Sequence, residues 1–348
     1  MNDMPEARTP EEPLFSIIMP VYCVGPYLQT TLNSLYAQTE RDFEIVVVND
    51  GSMDETAEIL QAQTDPRLRV LHQENAGVSV ARNRAIQAAR GRWLALMDGD
   101  DVWRPNHLEL ARQSLEAHPE YVWYCGLFKR VRAAKLNEAD FREAAPRGRL
   151  LAVNWYLEGC RQILPCSSLV VRRDALNELP EIFPPGVKMF EDNVALSRLA
   201  RRHPMMLLRL TESMIYLERS SSATGQYGQA ARGSATGVAL DALRLHQQLD
   251  DEPGCSQEAH LMYREFALSN WWMRITGASL ITWLPEIAER RRMTGTFFTA
   301  WLRFFCRLNH LVCRAMRWGI RRRLNAIRRE MDRRAAACRR VLEEDPEH

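Results

Sequence analysis

The chain has 348 residues, of which 46% are hydrophobic and 26% charged, and its formal net charge is +2 at pH 7. That is the composition of an ordinary globular protein long enough to bury a substantial core, as one large domain or two smaller ones. The first residues, MNDMPEARTPEEPLF, have no basic start leading into an apolar core, no run of about 18 uncharged apolar residues occurs, and the eight cysteines form no CxxC pair and have no histidine close enough for a zinc pattern; a secretory signal, a spanning helix and a zinc site are therefore not expected, and reduced thiols in the cytoplasm are.

After a polar, Pro-containing leader over 1–13, FSIIMPVY reads as a short buried strand stopped by Pro20. Leu28, Leu32, Leu35 and Tyr36 then recur at helical spacing. FEIVVVNDGS is a second β-branched run that ends in the turn-forming Asn49-Asp50-Gly51-Ser52, and MDETAEILQAQ carries acids in its first turn, as a helix start prefers. LRVLHQEN predicts a third strand, GVSVARNRAIQAAR a helix closed by Gly91, and WLALMD a fourth strand. This alternation through residue 120 predicts an α/β fold, a mostly parallel sheet covered by helices, with ligands at the carboxyl ends of the strands. From 121 to 230 the pattern is less regular: a strand in YVWYCGLFKRV, a helix in LLAVNWYLEG, then CSSLVVRR and a helix from Asp192. The Gly, Ser and Thr of 220–237 predict a loop or linker, and the sequence beyond it reads as helical.

Three strand ends invite comparison: Pro20-Val21-Tyr22, Asn49-Asp50-Gly51-Ser52 and Asp98-Gly99-Asp100-Asp101. On one edge of a parallel sheet they line a single cleft, where an aromatic ring, a hydrogen-bonding acid and a carboxylate cluster can hold a base, a ribose and a metal-bound diphosphate. Three carboxylates within four positions directly after an apolar strand repel one another unless they face water or a cation. An exposed acidic turn, or a cap for the helix that includes His107 and Leu108, is the plainer reading of the same residues.

SIIMPVYCVGPYLQTTLNSLYAQTERDFEIVVVNDGSMDETAEIL, followed by NAGVSVARNRAIQAARGRWLALMDGDDVWRPNHLE, resembles the nucleotide-sugar domain of family 2 glycosyltransferases, densely over 14–110 and more loosely to about 220. The resemblance implies the GT-A fold, Rossmann-like with a mixed, mostly parallel sheet, over 14–230, followed by an α-helical, Arg-rich region over 231–348. It implies that Pro20, Val21 and Tyr22 lie beside a uracil or other base, that Asp50 bonds the edge of that base, and that Arg82 lies near the nucleotide. Asp98 would contact the ribose or the metal, and Asp100 would ligate Mg²⁺ or Mn²⁺. Asp101 either orients that metal shell or caps the next helix. In FPPGVKMFEDNVALSRLARR the resemblance makes Asp192 the catalytic base, with Glu191 an acceptor ligand or alternative base; helix-start acids favoured by the dipole are the plainer reading. YLERSSSAT resembles a segment that closes over the diphosphate, which implicates Arg219 and Ser221, or else is an ordinary surface loop. Cys23 departs from the family, which commonly has Asn there.

The implied chemistry is a single in-line displacement that inverts the anomeric carbon, with a UDP-sugar as the expected donor and a saccharide or lipid-linked saccharide as acceptor. Bacterial surface polysaccharide or lipopolysaccharide assembly, in the cytoplasm or at the inner membrane face, is the setting the family suggests. DGDDV also fits the nucleophile loop of haloacid dehalogenase-like phosphatases, but that loop follows the first strand of its fold and here three strand-helix units precede it. A non-catalytic nucleotide-sugar-binding or assembly protein would keep the cleft and need no base. Between Arg290 and Arg340 sixteen arginines face two acids, Glu330 and Asp332. In WLRFFCRLNHLVCRAMRWGIRRR the polar residues fall on one helix face, which suits packing in a helical subdomain, a homodimer or a peripheral contact with an anionic membrane; no nucleic acid partner is expected.

Overall fold

A computed structural model describes residues 12–145, 148–155, 164–177, 179, 182–186, 191–219 and 339–343, with 329, 333 and 336. Most of the expected leader, the expected linker over 220–237 with Ser221, and nearly all of the expected helical region over 231–348 lie outside the described residues.

Strand β1 (Phe15–Val21) is buried along its whole length, as its apolar sequence requires, and it centres the parallel part of the sheet. It pairs in parallel with β2 (Phe43–Asp50) and with β4 (Trp93–Leu96), and β2 pairs in parallel with β3 (Leu68–Gln73). Helices α1 (Gly25–Tyr36), α2 (Thr56–Gln61) and α3 (Val78–Ala88) make the crossovers. Apolar α1 residues Leu28, Leu32 and Leu35 join Ile17, Met19, Ile45 and Val47 in one core cluster, so the helical spacing read from the sequence is the buried stripe. A two-residue strand, β5 (Val102–Trp103), then leads into α4 (His107–Ala117) and β6 (Trp123–Arg132).

Chain order and sheet order diverge in the second half. Strand β7 is Leu150–Asn154, β8 is Leu169–Arg172, the short helix α5 is Arg173–Asn177, α6 is Glu191–Arg202, β9 is Met205–Glu218 and β10 is Arg340–Glu343. The ten-stranded sheet runs β10-β7-β9-β6-β8-β4-β1-β2-β3, with β5 paired to β9. It is mixed: β6 and β9 are parallel, whereas β8 is antiparallel to both β4 and β6. Two readings of the sequence are corrected here. LLAVN is the strand β7, not the start of a helix, because a short apolar run does not reveal its period and antiparallel pairing to β9 buries all five residues. Arg340–Glu343, inside the region expected to be helical, pairs with β7 as a strand.

Gly91 does not close α3, which ends at Ala88 with Ala89 extended. Its role is steric: a Cβ there would lie 2.5 Å from the backbone nitrogen of Ser16 in β1. Gly91→Ala should therefore push α3's exit off β1 and lower stability by about 1–3 kcal/mol, read by urea unfolding. His107 is fully buried, stacked on Trp103 at 4.4 Å, with Nδ1 2.9 Å from the Ser213 hydroxyl. Burial pushes its imidazole pKa down to about 3. The folded chain thus resists a proton that the unfolded chain accepts near pH 6.5, so stability present at neutral pH is lost as pH falls from about 6.5 toward 3. Unfolding midpoints over that range should fall less steeply for His107→Gln than for the parent.

Candidate active site

The carboxyl ends of β1, β2 and β4 lie on one edge of the sheet, with Val21 opposite Asn49 and Ile18 opposite Leu96. The turns that follow are held together by side chains of the segment after β2. Successive amides of Cys23, Val24 and Gly25 donate to Ser52 Oγ at 3.0 Å, Thr56 Oγ1 at 3.0 Å and Asp54 Oδ2 at 3.0 Å. These bonds satisfy backbone donors at the start of α1, which has no side-chain cap of its own. They also hold Cys23 at a φ of 50°, a left-handed conformation that Asn tolerates better than most residues, so the departure from the family falls where backbone strain matters. Tyr22, just past β1, is 46% exposed, while Pro20 and Val21 are buried in the strand.

Asp50 is buried, and its carboxylate accepts hydrogen bonds from Gln73 Nε2 at 2.7 Å, the Ala76 amide at 2.9 Å and the Gly77 amide at 2.9 Å. Three of its roughly four acceptor positions therefore fix the turn between β3 and α3. The sequence reading missed this work, because nothing in NDGS announces a partner 26 residues on.

The DGDD turn is compensated mostly by arginine. Asp98 accepts from Arg82 Nη2 at 2.6 Å, and the other arm of that guanidinium, Nη1, donates to Glu191 Oε1 at 2.8 Å. Arg82 is no surface residue: its side chain is 5% exposed and its guanidinium carbon lies 5.2 Å from the Phe183 ring centroid. Burial alone would lower its pKa, but neighbouring Cys166, Asp98 and Glu191 raise it well above the usual value. Asp100 pairs with Arg219 Nε, and that guanidinium also lies 5.1 Å from the Tyr27 ring. Burial, with the charge of Asp98, pushes the Asp100 carboxyl up, and Arg219 opposes the shift.

Asp101 does not cap the helix that follows. The residue before α4 is Asn106, and Asp101 instead accepts from the Ser167 hydroxyl at 2.6 Å and from the Leu217 amide at 3.1 Å. It ties the turn to β9 and to the 3₁₀ turn Cys166–Ser168. Ser167 Oγ also accepts from the Asp98 amide at 3.1 Å, and its carbonyl accepts from Trp103 Nε1 at 2.6 Å. Thr31 Oγ1 in α1 donates to the carbonyls of Gly99 and Asp101 at 3.1 and 2.8 Å. Gly99 is required at this spot because a Cβ would lie 2.7 Å from Val21 Cγ1.

Glu191 and Asp192 open the first turn of α6. The pairing through Arg82 brings Glu191 to the same cluster as Asp98, although 93 positions separate them in sequence (191 less 98). Cys166, which the sequence analysis did not select, sits among these groups: burial raises its thiol pKa far above the ordinary value, Arg82 opposes this, and Asp98, Asp192 and Glu191 add to it. A pair of small polar residues before an apolar strand, PCSSLVV, was the available signal for Ser167.

Carboxylates suit a hard cation, and Asp98 and Asp100 each engage arginine through one oxygen. Among the described residues no three His, Cys, Asp or Glu side chains gather as a closed metal cage. An ion held here would use these two carboxylates and fill its shell from a diphosphate and water, which is how Mg²⁺ is ordinarily bound.

Residues 16–178 match the sequence model described as Glycosyl transferase family 2. The uncharacterized glycosyltransferase EpsJ of Bacillus subtilis is 41% identical over 119 residues, 34% of this chain and 35% of that relative. The putative teichuronic acid biosynthesis glycosyltransferase TuaG of the same organism is 40% identical over 101 residues, 28% of this chain and 40% of TuaG. The chain thus spans about a third of the length of the curated relatives it matches. Staphylococcus aureus TarS in complex with UDP-GlcNAc superposes with a TM-score of 0.57 at 22% identity, covering 76% of this chain and 73% of TarS 1–349. The mannosyltransferase PcManGT of Pyrobaculum calidifontis, in complex with GDP-Man and Mn²⁺, gives 0.55 at 15% identity over 92% of this chain and 84% of its own. At these identities the two structures speak for the fold alone, which is GT-A.

Truncating Asp101 tests the anchoring of the turn. Asp101→Ala leaves the Ser167 hydroxyl and Leu217 amide buried without their acceptor and should cost about 1–3 kcal/mol for each orphaned group in urea unfolding. Because burial favours a neutral Asp101, Asp101→Asn should cost less than Asp101→Ala.

Proposed function

The chain carries a family 2 glycosyltransferase domain of GT-A fold, and from that premise we propose that it moves a sugar from a nucleotide-sugar donor to a saccharide or glycoconjugate acceptor, inverting the anomeric carbon. The observation that carries this reading is the buried Arg82 bridge, which puts the carboxylates at the end of β4 and the acids at the start of α6 in one cluster. A binding protein would need the first set and not the second. A UDP-sugar is the donor we favour, and surface-polysaccharide assembly the setting, in line with the UDP-GlcNAc bound to TarS and the name of TuaG.

In this reading Tyr22 flanks the base, and Asp50 reaches it only through the acceptor position left by its three bonds to the turn. Asp98 and Asp100 would hold Mg²⁺ or Mn²⁺, which when bound would neutralise charge on the departing diphosphate. Arg219 leaves Asp100 for the diphosphate oxygens, a better match for its fork of donors. Asp192 takes the proton from the acceptor hydroxyl as that oxygen attacks the anomeric carbon. Glu191, bonded to Arg82, binds an acceptor hydroxyl or serves as the alternative base. Among the described residues no helix is long and apolar enough to cross a membrane; a peripheral membrane contact or a dimer through 231–348 is part of the proposal.

The deciding experiment is calorimetric titration with UDP-GlcNAc, UDP-glucose, UDP-galactose and GDP-mannose, each with and without Mn²⁺ or Mg²⁺. Metal-dependent binding of one donor is expected, and Asp100→Ala should abolish the metal-dependent part. Binding of none by the parent protein sinks the reading. Asp192→Asn should keep donor affinity and lose about 10² to 10⁴-fold in donor turnover with a saccharide acceptor panel, the usual worth of general base catalysis, and Glu191→Gln should lose less.

A further inference from the structure

Two adjacent side chains of α3 hold the chain that leads to the proposed base. Arg82 grips Glu191, the first residue of α6, while its other arm grips Asp98. Asn83 closes a reciprocal pair with the backbone of Phe183: its Nδ2 donates to the Phe183 carbonyl at 2.7 Å, and its Oδ1 accepts from the Phe183 amide at 3.0 Å. Phe183 itself is 1% exposed, and its ring lies against the Arg82 guanidinium. So two points of the chain, eight residues apart at the ends of FPPGVKMFE, are fixed to one turn of a helix that belongs to the nucleotide half of the fold. α3 packs in turn on β1 and β2, the strands whose ends carry Tyr22 and Asp50.

We infer that Arg82 and Asn83 are positioning residues that set the first turn of α6, and with it Asp192, against the donor carboxylates. The inference rests on the proposed transferase reading for what Asp192 does, but not for the clamp itself. Physically it follows from what each bond can do. The guanidinium is planar with a fixed fork of donors, so its bonds to Asp98 and Glu191 fix distance and direction together. The Asn83 pair saturates both main-chain groups of Phe183, so this part of the chain cannot shift without exposing a buried donor or acceptor. A base displaced by about 1 Å from its attack geometry loses on the order of a hundredfold in rate. Substrate affinity on the donor side has no reason to follow.

Asn83→Ala is the most selective probe, since it removes the clamp on Phe183 and leaves every charged group in place; Arg82→Lys keeps the charge and loses the fork. Two measurements on the full chain separate the clamp from the activity. Hydrogen exchange should accelerate in peptides covering 183–195 in both variants, with peptides of β1 and β2 unchanged. In turnover assays with the donor identified by calorimetry, Asn83→Ala should lower kcat roughly ten- to a hundredfold, with donor KM within about twofold of the parent. Unchanged exchange at 183–195 in both variants overturns the inference, as does a loss in which donor affinity falls in step with kcat, the mark of general damage. If the parent protein binds no nucleotide sugar, the transferase reading fails while the exchange experiment still decides the clamp.

Discussion

Everything at the edge of this sheet depends on where the negative charge of Asp98, Asp100 and Asp101 goes. An apolar strand delivers three carboxylates into a partly buried turn, and at such separations like charges are costly unless each finds its own compensation. The fold supplies three different answers. Asp98 is paired with a guanidinium that is itself buried, Asp100 with one that emerges after β9, and Asp101 with a hydroxyl and an amide whose donated bonds oppose the upward shift that burial and its neighbouring carboxylates impose. Each answer recruits a different part of the chain: α3, the end of β9, and the 3₁₀ turn before β8. The second half of the sheet therefore completes the charge balance of the first half as well as covering its core.

The same requirement explains which features of the molecule the sequence revealed. The strands β1 to β4 and the turns that end them were legible because the signals are local: β-branched runs, a helical stripe at Leu28, Leu32 and Leu35, and Asn-Asp-Gly-Ser. Register then followed from strand order, and the three strand ends met as expected. The pairing of Arg82 with Glu191 spans 109 residues, and nothing local to ARN announces it. Ser167 and Cys166 gave no signal beyond small polar character. In β7, β9 and β10 the outcome is decided by long-range pairing, which turned LLAVN from an apparent helix into a strand and left the 14-residue β9 unassigned. Asp101 shows the limit from the other side: its neighbours in sequence suggested metal or cap, and its actual partners are 66 and 116 residues away.

The turns of the nucleotide half illustrate a second economy. Ser52, Asp54 and Thr56 are spaced two apart, and each takes one of three consecutive amides, Cys23 to Gly25. One short segment thus both ends β2 and seats the start of α1, which explains why α1 needs no cap of its own. Asp50 does the same for the next turn. Asp50, which the sequence assigns to a base, and Asp101, which it assigns to a metal shell or a helix cap, both spend much of their hydrogen-bonding capacity on the protein's own donors.

The charge balance also bears on how a donor would enter. Asp98, Asp100, Asp101, Glu191 and Asp192 contribute five carboxyl groups to the cluster, against the guanidinium groups of Arg82 and Arg219. Among the described residues the excess is negative even with Asp101 neutral, as its burial favours, and a bare diphosphate would be repelled by it. A diphosphate accompanied by a divalent cation brings much less net negative charge, and the cation meets the carboxylates that the diphosphate alone would not. Of the two arginines, Arg82 is fixed by Asp98, Glu191 and the Phe183 ring, so releasing it would uncouple α3 from α6. Arg219, at the exit of β9, has a carboxylate partner that a cation could take over. In the proposed reading Arg82 therefore stays in the scaffold, while Arg219, seated on the Tyr27 ring, exchanges its carboxylate partner for phosphate oxygens.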